Sequence, residues 1–463
     1  MKKFLIASVM LASVGSALAL TPEAQDHYRV WRPYNETVFY NGYADGVHDK
    51  DQESVDGIVR HTNYQYAKKL TAEDLAWFGE DVDIMVTIGA LCDNYDRLGN
   101  ISLSLLPKGS EYTGRAEDMR FELVRFITPF MDKNLYPDEV KYYYDGRLAS
   151  MIFRDKNLQD KYDYWLEFEL FGVSGAANVQ ITGCAGRDDV FRGTVEFISR
   201  DEPAAPTTDH IILPLWHYIS EIHGSQNLNN YNEKACDEVG TTARTWKFTL
   251  DSDVNDASLT LNLSNHGANN GGEEYNRRDH FLYVDGELVA QFKPGGKTCE
   301  PYRYLNTQSN GIYGVNRRTD LWWELNGTNW CPGDAIPLRV FNLGALKAGE
   351  HTVKISVPDA VFPEAQGDIR VSMHVQAART GTLPAGVDGI DAENAPRASY
   401  NGSVVTLSGM EVEDVAIYNY EGALLWGAHT SEPTASLVGF KSGIYLVTFT
   451  SPTGETFTYK AVR

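Results

Sequence analysis

Short runs in which apolar and polar residues alternate are the feature that most restricts how this chain of 463 residues can fold. In residues 82–88 every second residue is a valine or an isoleucine, and residues 166–170 alternate leucine or phenylalanine with glutamate. Successive side chains of a β-strand point to opposite faces, so this spacing predicts strands with one face in a core and one face in water. Turn residues separate the runs at the spacing of a β-sandwich. The sequence therefore predicts an all-β protein.

Two stretches rich in proline, glycine and small polar residues divide the chain. Residues 201–206, Asp-Glu-Pro-Ala-Ala-Pro, favour an extended backbone that ends a strand, and residues 379–396 contain few large apolar side chains. We therefore predict an N-terminal sandwich over residues 20–203, a second sandwich over 208–378, a linker over 379–396 and a small C-terminal β-sandwich over 397–463.

Residues 1–19 have the composition of a secretory signal peptide. Two lysines precede the apolar run Phe4–Val14, and Ala17–Ala19 supplies the small residues of a cleavage site. This run is too short to cross a bilayer, and no later segment is long and apolar enough to do so. We expect the mature chain to begin near Leu20, in an oxidising compartment that permits disulfides.

The charge and the cysteines exclude several kinds of partner and cofactor. A net charge of −22 argues against nucleic acid and against an anionic membrane surface as partners. The five cysteines are Cys92, Cys184, Cys236, Cys299 and Cys331. None of them belongs to a CxxC pair and the chain has no HExxH motif, so we predict neither a metal site nor a cofactor.

The tail beyond residue 397 carries three motifs in a fixed order: Val415–Gly422, Gly443–Val447 and a basic end at Tyr459–Arg463. This arrangement resembles the C-terminal sorting domain of the type IX secretion system of Bacteroidetes. The resemblance implies export across the outer membrane, followed by cleavage of the tail or its exchange for a lipid anchor. A generic β-module, such as a carbohydrate-binding one, is the alternative.

Residues 90–105 combine a turn and a strand in a way that suits acid–base chemistry. The turn holds the carboxylates of Asp93 and Asp96 together with a tyrosine and an arginine, and residues 101–105 alternate as a strand. A carboxylate held at the end of a rigid strand can transfer protons to and from an uncharged substrate. The start of an ordinary strand has the same pattern, and this segment by itself leaves both interpretations open.

Further motifs help to decide between a catalytic turn and an ordinary strand start at residues 90–105. In chain order they are Tyr95–Arg97, Arg125–Phe130, Gly271–Glu274, Cys299 and Trp330–Gly333. Over residues 35–375 these motifs resemble the bacterial peptide-N-glycosidase F family, with Arg-Phe-Ile-Thr-Pro and Trp-Cys-Pro-Gly as the most specific pieces. The resemblance implies two antiparallel eight-stranded jelly-roll sandwiches side by side, with the active site in the cleft between them. It also implies a secreted amidase that hydrolyses the bond between an N-linked glycan and asparagine, converting the asparagine to aspartate.

Carried over residue by residue, the resemblance assigns Asp96 as the catalytic general acid or base and Glu274 as its partner from the second sandwich. Burial and mutual repulsion would push the pKa values of two such carboxyl groups apart. The side chains expected to bind substrate are Tyr95, Arg97, His266, Arg318, Trp322 and Trp323. For Arg97 the alternative is a structural ion pair with a neighbouring acid, and for the tryptophans it is packing.

The sequence departs from the family pattern at several of the positions expected to surround the bound substrate. A second family glutamate of the first sandwich falls at or near Cys184, and a thiol cannot replace a carboxylate. The family arginine upstream of Trp-Cys-Pro-Gly falls at Gly327, with Arg318 as one substitute. A family tryptophan aligns with His266, and Tyr95 stands where the family has another. These changes affect glycan preference more than reaction type.

Two disulfides are expected. Cys299 and Cys331 match a family disulfide, whereas Cys92 matches a family cysteine whose partner is absent. Cys184 would lie beside the same turn, so we predict that Cys92 pairs with it and that Cys236 stays a free thiol.

The expected partners are N-glycoproteins or glycopeptides as substrate and the type IX secretion machinery, and the chain is expected to be a monomer with no transmembrane segment. One alternative function is a non-catalytic glycan-binding surface protein on the same two sandwiches. A copper oxygenase is a second alternative, but it needs clustered histidines, and no His-x-His motif occurs.

Overall fold

The computed structural model describes the following ranges of the chain: 29–44, 57–116, 119–217, 228, 242–267, 272–296, 299–308, 328–362, 367–384, 397–400, 403–408, 410–419, 423–441, 443–452 and 456–463. These residues belong to two compact units, one within Tyr28–Ile390 and one within Asp391–Arg463. The signal peptide predicted for residues 1–19 lies outside the described residues.

The first part of the larger unit is a sandwich of antiparallel sheets. Its strands are β1 Arg29–Tyr40, β2 Ile58–Thr62, β3 Gln65–Lys69, β4 Val82–Ala90, β5 Leu98–Pro107, β6 Arg120–Ile127, β7 Glu139–Asp145, β8 Tyr162–Leu170 and β9 Asp189–Ser199. Its helices are α1 Ala72–Ala76, α2 Arg147–Arg154, α3 Lys156–Lys161 and α4 Gly175–Gln180. One sheet has the order β1-β9-β4-β7, and the facing sheet contains β6-β5-β8-β3-β2.

Alternation along the strands builds the core of this sandwich. In β4 the valines and isoleucines of residues 82–88 are all buried, and the residues between them are only partly buried. In β8 the apolar residues 166, 168 and 170 face the same core. The glutamates between them are also buried, because Glu167 pairs with Arg120 at 2.7 Å and Glu169 pairs with Arg115. The face that the pattern predicts to be wet is therefore covered by ion pairs.

The second part of the larger unit is another antiparallel sandwich. Its strands are β10 His210–Trp216, β11 Ala243–Leu250, β12 Asp256–His266, β13 His280–Val284, β14 Glu287–Phe292, β16 Leu338–Asn342, β17 Gly349–Ser356 and β18 Asp368–Ala378, and a 3₁₀ helix spans Glu300–Leu305. This part of the chain also contains the short strand β15 Ala335–Ile336. The sheets have the orders β10-β18-β12-β16 and β11-β17-β13-β14. A separate apolar core lies between them. The prediction of an all-β protein built from antiparallel sheets is confirmed.

Two structural links join the sandwiches. Strand β15, from the second half of the chain, pairs with β6 and extends the sheet of the first sandwich. On β6 the fully buried Arg125 binds Glu122 through two 2.7 Å hydrogen bonds and donates across the interface to Ser264 Oγ at 2.8 Å and to the Arg370 carbonyl at 2.9 Å. Ser372 donates to the same glutamate. Buried charges satisfied in this way hold the two sheets in a defined register.

The smaller unit is also made of antiparallel strands. They are β19 Arg397–Tyr400, β20 Val404–Ser408, β21 Asp414–Asn419, β22 Leu424–His429, β23 Thr434–Ser436, β24 Ile444–Thr450 and β25 Thr456–Val462. The sheets have the orders β19-β20-β23 and β22-β21-β24-β25, with an apolar core between them. Two of the sequence motifs lie on β21 and β24, which pair directly. None of the described helices is long and apolar enough to span a membrane.

Candidate functional site

Asp96 lies in the turn that joins β4 to β5, and a neighbouring acid holds this turn in place. Asp93 is only 1% exposed. Its carboxylate accepts hydrogen bonds from the Arg97 guanidinium at 2.6 Å, the Tyr95 amide at 2.9 Å and the Val173 amide at 2.7 Å. These bonds use the acceptor capacity of Asp93 for anchoring, and Asp96 stays partly exposed beside it.

Thr128, from the Arg-Phe-Ile-Thr-Pro motif, closes the turn from the other side. The buried Thr128 hydroxyl accepts from the Arg97 amide at 2.7 Å and donates to the Tyr95 carbonyl at 3.2 Å, and the Thr128 amide donates to the Arg97 carbonyl at 2.8 Å. The residues on both sides of Asp96 are thus bonded to one neighbour. This geometry holds the Asp96 backbone fixed.

The rim of the turn carries an aromatic ring and a disulfide. Tyr95 is 38% exposed, packs against Phe130 with 5.7 Å between ring centres, and lies under the Arg97 guanidinium at 5.5 Å. The structure contains the Cys92–Cys184 disulfide, which ties the loop after α4 to the start of the turn. Cys184 is therefore part of the covalent framework of this turn.

Glu274 lies in the loop between β12 and β13, and here too a neighbouring acid is the anchor. Glu273 is fully buried, accepts two 3.0 Å hydrogen bonds from Arg278 and accepts the Val361 amide at 2.9 Å. Asn329 donates its side-chain amide to the carbonyls of Glu273 and Glu274 at 2.6 and 2.8 Å. The structure also contains the Cys299–Cys331 disulfide, which fixes the segment that carries Asn329.

A glycine lets β18 approach this loop. Gly367 has a φ of +90°, and a Cβ at this position would lie 2.6 Å from the His266 carbonyl and 3.1 Å from the Glu273 amide. The loop therefore packs against the start of the neighbouring strand more closely than any other residue would allow.

The Glu274 carboxylate is almost enclosed, with 8% exposure, and accepts the Gly267 amide at 3.3 Å. Burial raises its pKa above the ordinary value, while a hydrogen bond from Tyr275, the Gly267 amide and the charge of Arg370 oppose the rise. Glu274 is thus a buried carboxyl group whose pKa stays raised, with three neighbouring groups partly offsetting the effect of burial.

The structure brings Asp96 and Glu274 together across the interface of the two sandwiches. Burial raises the pKa of Asp96 to about 8, and the negative charge of Glu274 is the next largest cause, opposed by Arg97. Two carboxyl groups that interact this strongly titrate as one unit. With its pKa at about 8, Asp96 holds a proton near neutral pH, which is the state needed to donate a proton to a leaving group.

His266 lies at the end of β12 near this pair. It is buried, with Nε2 2.7 Å from Ser264 Oγ and its ring 5.7 Å from that of Trp330. Burial and the charges of Arg370 and Arg125 lower the pKa of His266 well below its usual value, so the ring is neutral. Its contact with substrate stays a prediction.

The other expected binding residues, Arg318, Trp322 and Trp323, lie outside the described residues, as does the predicted free thiol Cys236. The structure places Arg97 on Asp93 in an ion pair, which is the structural alternative considered above. Among the described residues, no three His, Cys, Asp or Glu side chains group as a metal site.

Sequence reasoning missed the residues that hold the two acids in place. Asp93 and Thr128 fall inside quoted motifs, but no local pattern distinguishes an anchoring acid from a reactive one. Asn329 and Arg370 are far from Glu274 in sequence, so only the fold could reveal their proximity. The one available signal in the sequence was a polar residue inside or next to a specific motif, such as Thr128 in Arg-Phe-Ile-Thr-Pro or Asn329 before Trp-Cys-Pro-Gly.

Comparison with known proteins identifies a family model that matches the second sandwich. Residues 230–376 match the family model described as "Peptide-N-glycosidase F, C terminal", a range that includes Glu274 and covers about a third of the chain. No curated protein sequence is similar enough to count as a relative.

Solved structures extend the likeness to both sandwiches. PNGF-II, solved in space groups P21 and C2, is 18% and 17% identical over 77% and 78% of this chain, with TM-scores of 0.57 and 0.56. The alignment covers 66% of the PNGF-II chain in each case. PNGase F, a glycosylasparaginase from Flavobacterium meningosepticum, is 15% identical over 78% of this chain and 98% of its own, with a TM-score of 0.48. The similarity to PNGF-II establishes a shared fold.

Proposed function

We propose that this protein is an amidase that hydrolyses the glycosylasparagine bond of N-glycoproteins or glycopeptides, releasing the glycan and converting asparagine to aspartate. One observation carries the proposal. Asp96 from the first sandwich lies close enough to Glu274 from the second for the charge of Glu274 to raise the pKa of Asp96. The family-model match over the second sandwich supports the same reaction class.

In this proposal Asp96 is the general acid and base. With a pKa of about 8 it holds a proton at neutral pH. Water attacks the amide carbonyl carbon, the C–N bond breaks, and the departing nitrogen takes the Asp96 proton. Asp96 then regains a proton from the attacking water. Proton transfer of this kind contributes roughly 10²- to 10⁴-fold to a rate.

Glu274 is the negative partner that binds the substrate and stabilises the positive charge that develops on the departing nitrogen as it takes the Asp96 proton. Its hydrogen bond from Gly267 fixes the carboxylate, and the nearby charge of Arg370 favours its ionised form. Arg370 is thus a positioning residue that the sequence motifs did not indicate.

Tyr95 supplies a surface for the sugar. Its ring is exposed at the rim and supported from behind by Phe130. An aromatic face suits stacking against the apolar face of a sugar ring. The proposed substrate-binding side chains remain Tyr95 and Arg97, His266, and the unlocated Arg318, Trp322 and Trp323.

We further propose that the chain is a secreted or surface-attached monomer with the domain boundaries given above. The signal-peptide pattern of residues 1–19 and the motif order of the tail support export by the type IX machinery. Pairing of the two motif strands β21 and β24 in one small sandwich is consistent with such a sorting domain.

The test is to incubate the purified mature protein with a denatured N-glycoprotein and with a glycopeptide. The expected result is a faster-migrating protein in which the glycosylated asparagine has become aspartate, with chelator having no effect. Asp96→Asn should slow conversion about 1,000-fold.

Asp160→Asn serves as the matched control, because this aspartate is exposed on α3. It should be as active as the wild type. Binding of the glycan without release by a folded wild-type protein would overturn the amidase and select the glycan-binding alternative.

A further inference from the structure

A cavity lined by neither Asp96 nor Glu274 lies between the two sandwiches. Its volume is about 340 Å³, and its walls come from β6, β7 and α2 of the first sandwich and from β12, β16 and β18 of the second. For scale, a cavity of about 150 Å³ accommodates benzene. This cavity has room for a molecule of one or two rings.

The buried end of the cavity presents two polar side chains from adjacent strands. Thr260 on β12 pairs directly with His374 on β18, so the two side chains point to the same face of the sheet. Thr260 is 5% exposed, and its hydroxyl has no hydrogen-bond partner among the described residues. Burial lowers the pKa of His374 to about 4, so its ring is neutral near pH 7. A buried hydroxyl without a partner is costly and favours a ligand that completes its bonding.

The charged groups that line the cavity already have partners. Glu122 is bound by Arg125 and Ser372, Asp145 forms an ion pair with Arg147, and Asp334 accepts a hydrogen bond from the Tyr302 hydroxyl. An anionic ligand would therefore enter beside carboxylates and without a free countercharge, which is unfavourable in a buried site.

The remaining walls are apolar. They are formed mainly by Leu123, Leu148, Ile152, Ile336, Leu338 and Val340. Largely apolar pockets with a few placed polar groups are typical of small-molecule sites.

We propose that this cavity is a binding site for a small uncharged molecule consisting of one apolar ring with a hydroxyl or carbonyl group at its buried end. The polar group bonds to Thr260 and the ring packs between α2 and the β12-β18 sheet. The ligand contacts both sandwiches, so it binds only when they are docked and stabilises that arrangement by mass action.

The test uses the full chain with 4-methylphenol, with toluene as its counterpart lacking the hydroxyl, and with N-acetylglucosamine as a sugar probe. Calorimetry should give saturable binding of 4-methylphenol, about fivefold tighter than toluene because of the Thr260 bond. The melting temperature should rise with the concentration of 4-methylphenol, and N-acetylglucosamine should not bind.

Thr260→Val should remove the preference for 4-methylphenol over toluene. Ser258→Ala is the matched control, since Ser258 is another buried unpartnered hydroxyl on the same face of β12 but does not line the cavity. This control should keep the preference. Ala149→Phe should fill the cavity and abolish binding of both ring compounds.

Absence of saturable 4-methylphenol binding to the wild type would overturn the proposal. So would binding that Thr260→Val and Ser258→Ala change equally. If Ala149→Phe does not fold, the comparison of the two hydroxyl variants still decides.

Discussion

The turn that carries Asp96 and the loop that carries Glu274 solve the same problem with different residues. In each, two acids lie close in sequence, and one is fully occupied by an arginine and backbone amides: Asp93 by Arg97, and Glu273 by Arg278. The other acid is left for the interface between the sandwiches. The anchoring ion pair makes the local backbone rigid, so the second carboxyl can be held where its charge is unfavourable.

The two regions differ in how they treat the second acid. Glu274 is nearly enclosed yet accepts the Gly267 amide, and Arg370 favours its charged form. Asp96 is more exposed, but the charge of Glu274 adds to burial in raising its pKa. This asymmetry supports the proposed roles, in which Asp96 carries the proton and Glu274 the negative charge. Two similar carboxyl groups thereby take different roles.

The largest expected effect is the loss of activity when one of the two proposed catalytic acids, rather than an anchoring acid, is substituted. Asp96→Asn should lower kcat about 1,000-fold, because it removes proton transfer while preserving shape. Glu274→Gln should lower kcat/KM by a comparable order, and glycan release from a glycopeptide measures both.

Glu350→Gln, an exposed glutamate on β17, is the control for the second substitution and should retain full activity. Full activity of a folded Asp96→Asn protein would show that the asymmetry has no catalytic meaning.

Substitution of the anchoring acids should instead lower the free energy of unfolding. Asp93→Asn and Glu273→Gln each leave an arginine without its carboxylate, and breaking a buried ion pair costs about 3 kcal/mol or more. Chemical denaturation should show this loss in the free energy of unfolding for both variants. Equal stability of either variant and the wild type would remove that acid from the anchoring role.

Sequence patterns captured the architecture better than the support of the site. Alternation in residues 82–88 predicts a strand because the period depends only on local backbone geometry. The convergence of Asp96 and Glu274, in contrast, joins residues far apart in the chain, and only the resemblance to a family pointed to it. Composition and spacing alone left Glu274 looking like any loop glutamate.

Local patterns were least reliable in predicting which strand faces are exposed to solvent. Glu167 and Glu169 read as solvent-facing, but both are buried in ion pairs because Arg115 and Arg120 fold over that face. The motif around Thr128 was recognised, but the sequence did not reveal what its threonine does. The Thr128 hydroxyl forms hydrogen bonds with both neighbours of Asp96. Such partners depend on the packing of strands that no single stretch specifies.

Loss of the Asp96 charge should stabilise the protein in a defined pH window. The Asp96 pKa is raised from 3.8 to about 8, so the folded state holds a proton that the unfolded state releases. Stability therefore falls as pH rises from about 4 to about 8. Asp96→Asn should match the wild type near pH 4 and exceed it by on the order of 2 kcal/mol above pH 8, after allowance for solvent screening.

Thermal unfolding at several pH values measures this difference. Asp160→Asn should leave the pH dependence of stability unchanged between about pH 5 and pH 8, because Asp160 is ionised in both the folded and the unfolded state there. A constant difference between Asp96→Asn and the wild type across this range would contradict the raised pKa.

The pH dependence of kcat should follow the protonation of Asp96. If Asp96 donates the proton, kcat should fall about tenfold per pH unit above pH 8, once Asp96 loses its proton. The residual activity of Asp96→Asn should lack this alkaline limb. A wild-type rate that rises through pH 9 would reverse the assignment and make Asp96 the base.

The smallest expected effect concerns Thr128, whose counterpart in the other loop is Asn329. Thr128→Val keeps the shape but removes the acceptor for the Arg97 amide, which should cost about 1 kcal/mol of stability. It should also lower kcat more than it raises KM, since the turn that positions Asp96 loosens. Thr128→Ser keeps the hydroxyl and should restore both values. A change confined to stability, with kcat intact in Thr128→Val, would mean that the Asp93 anchor alone positions the catalytic turn, and that the two loops are less alike than their hydrogen bonds indicate.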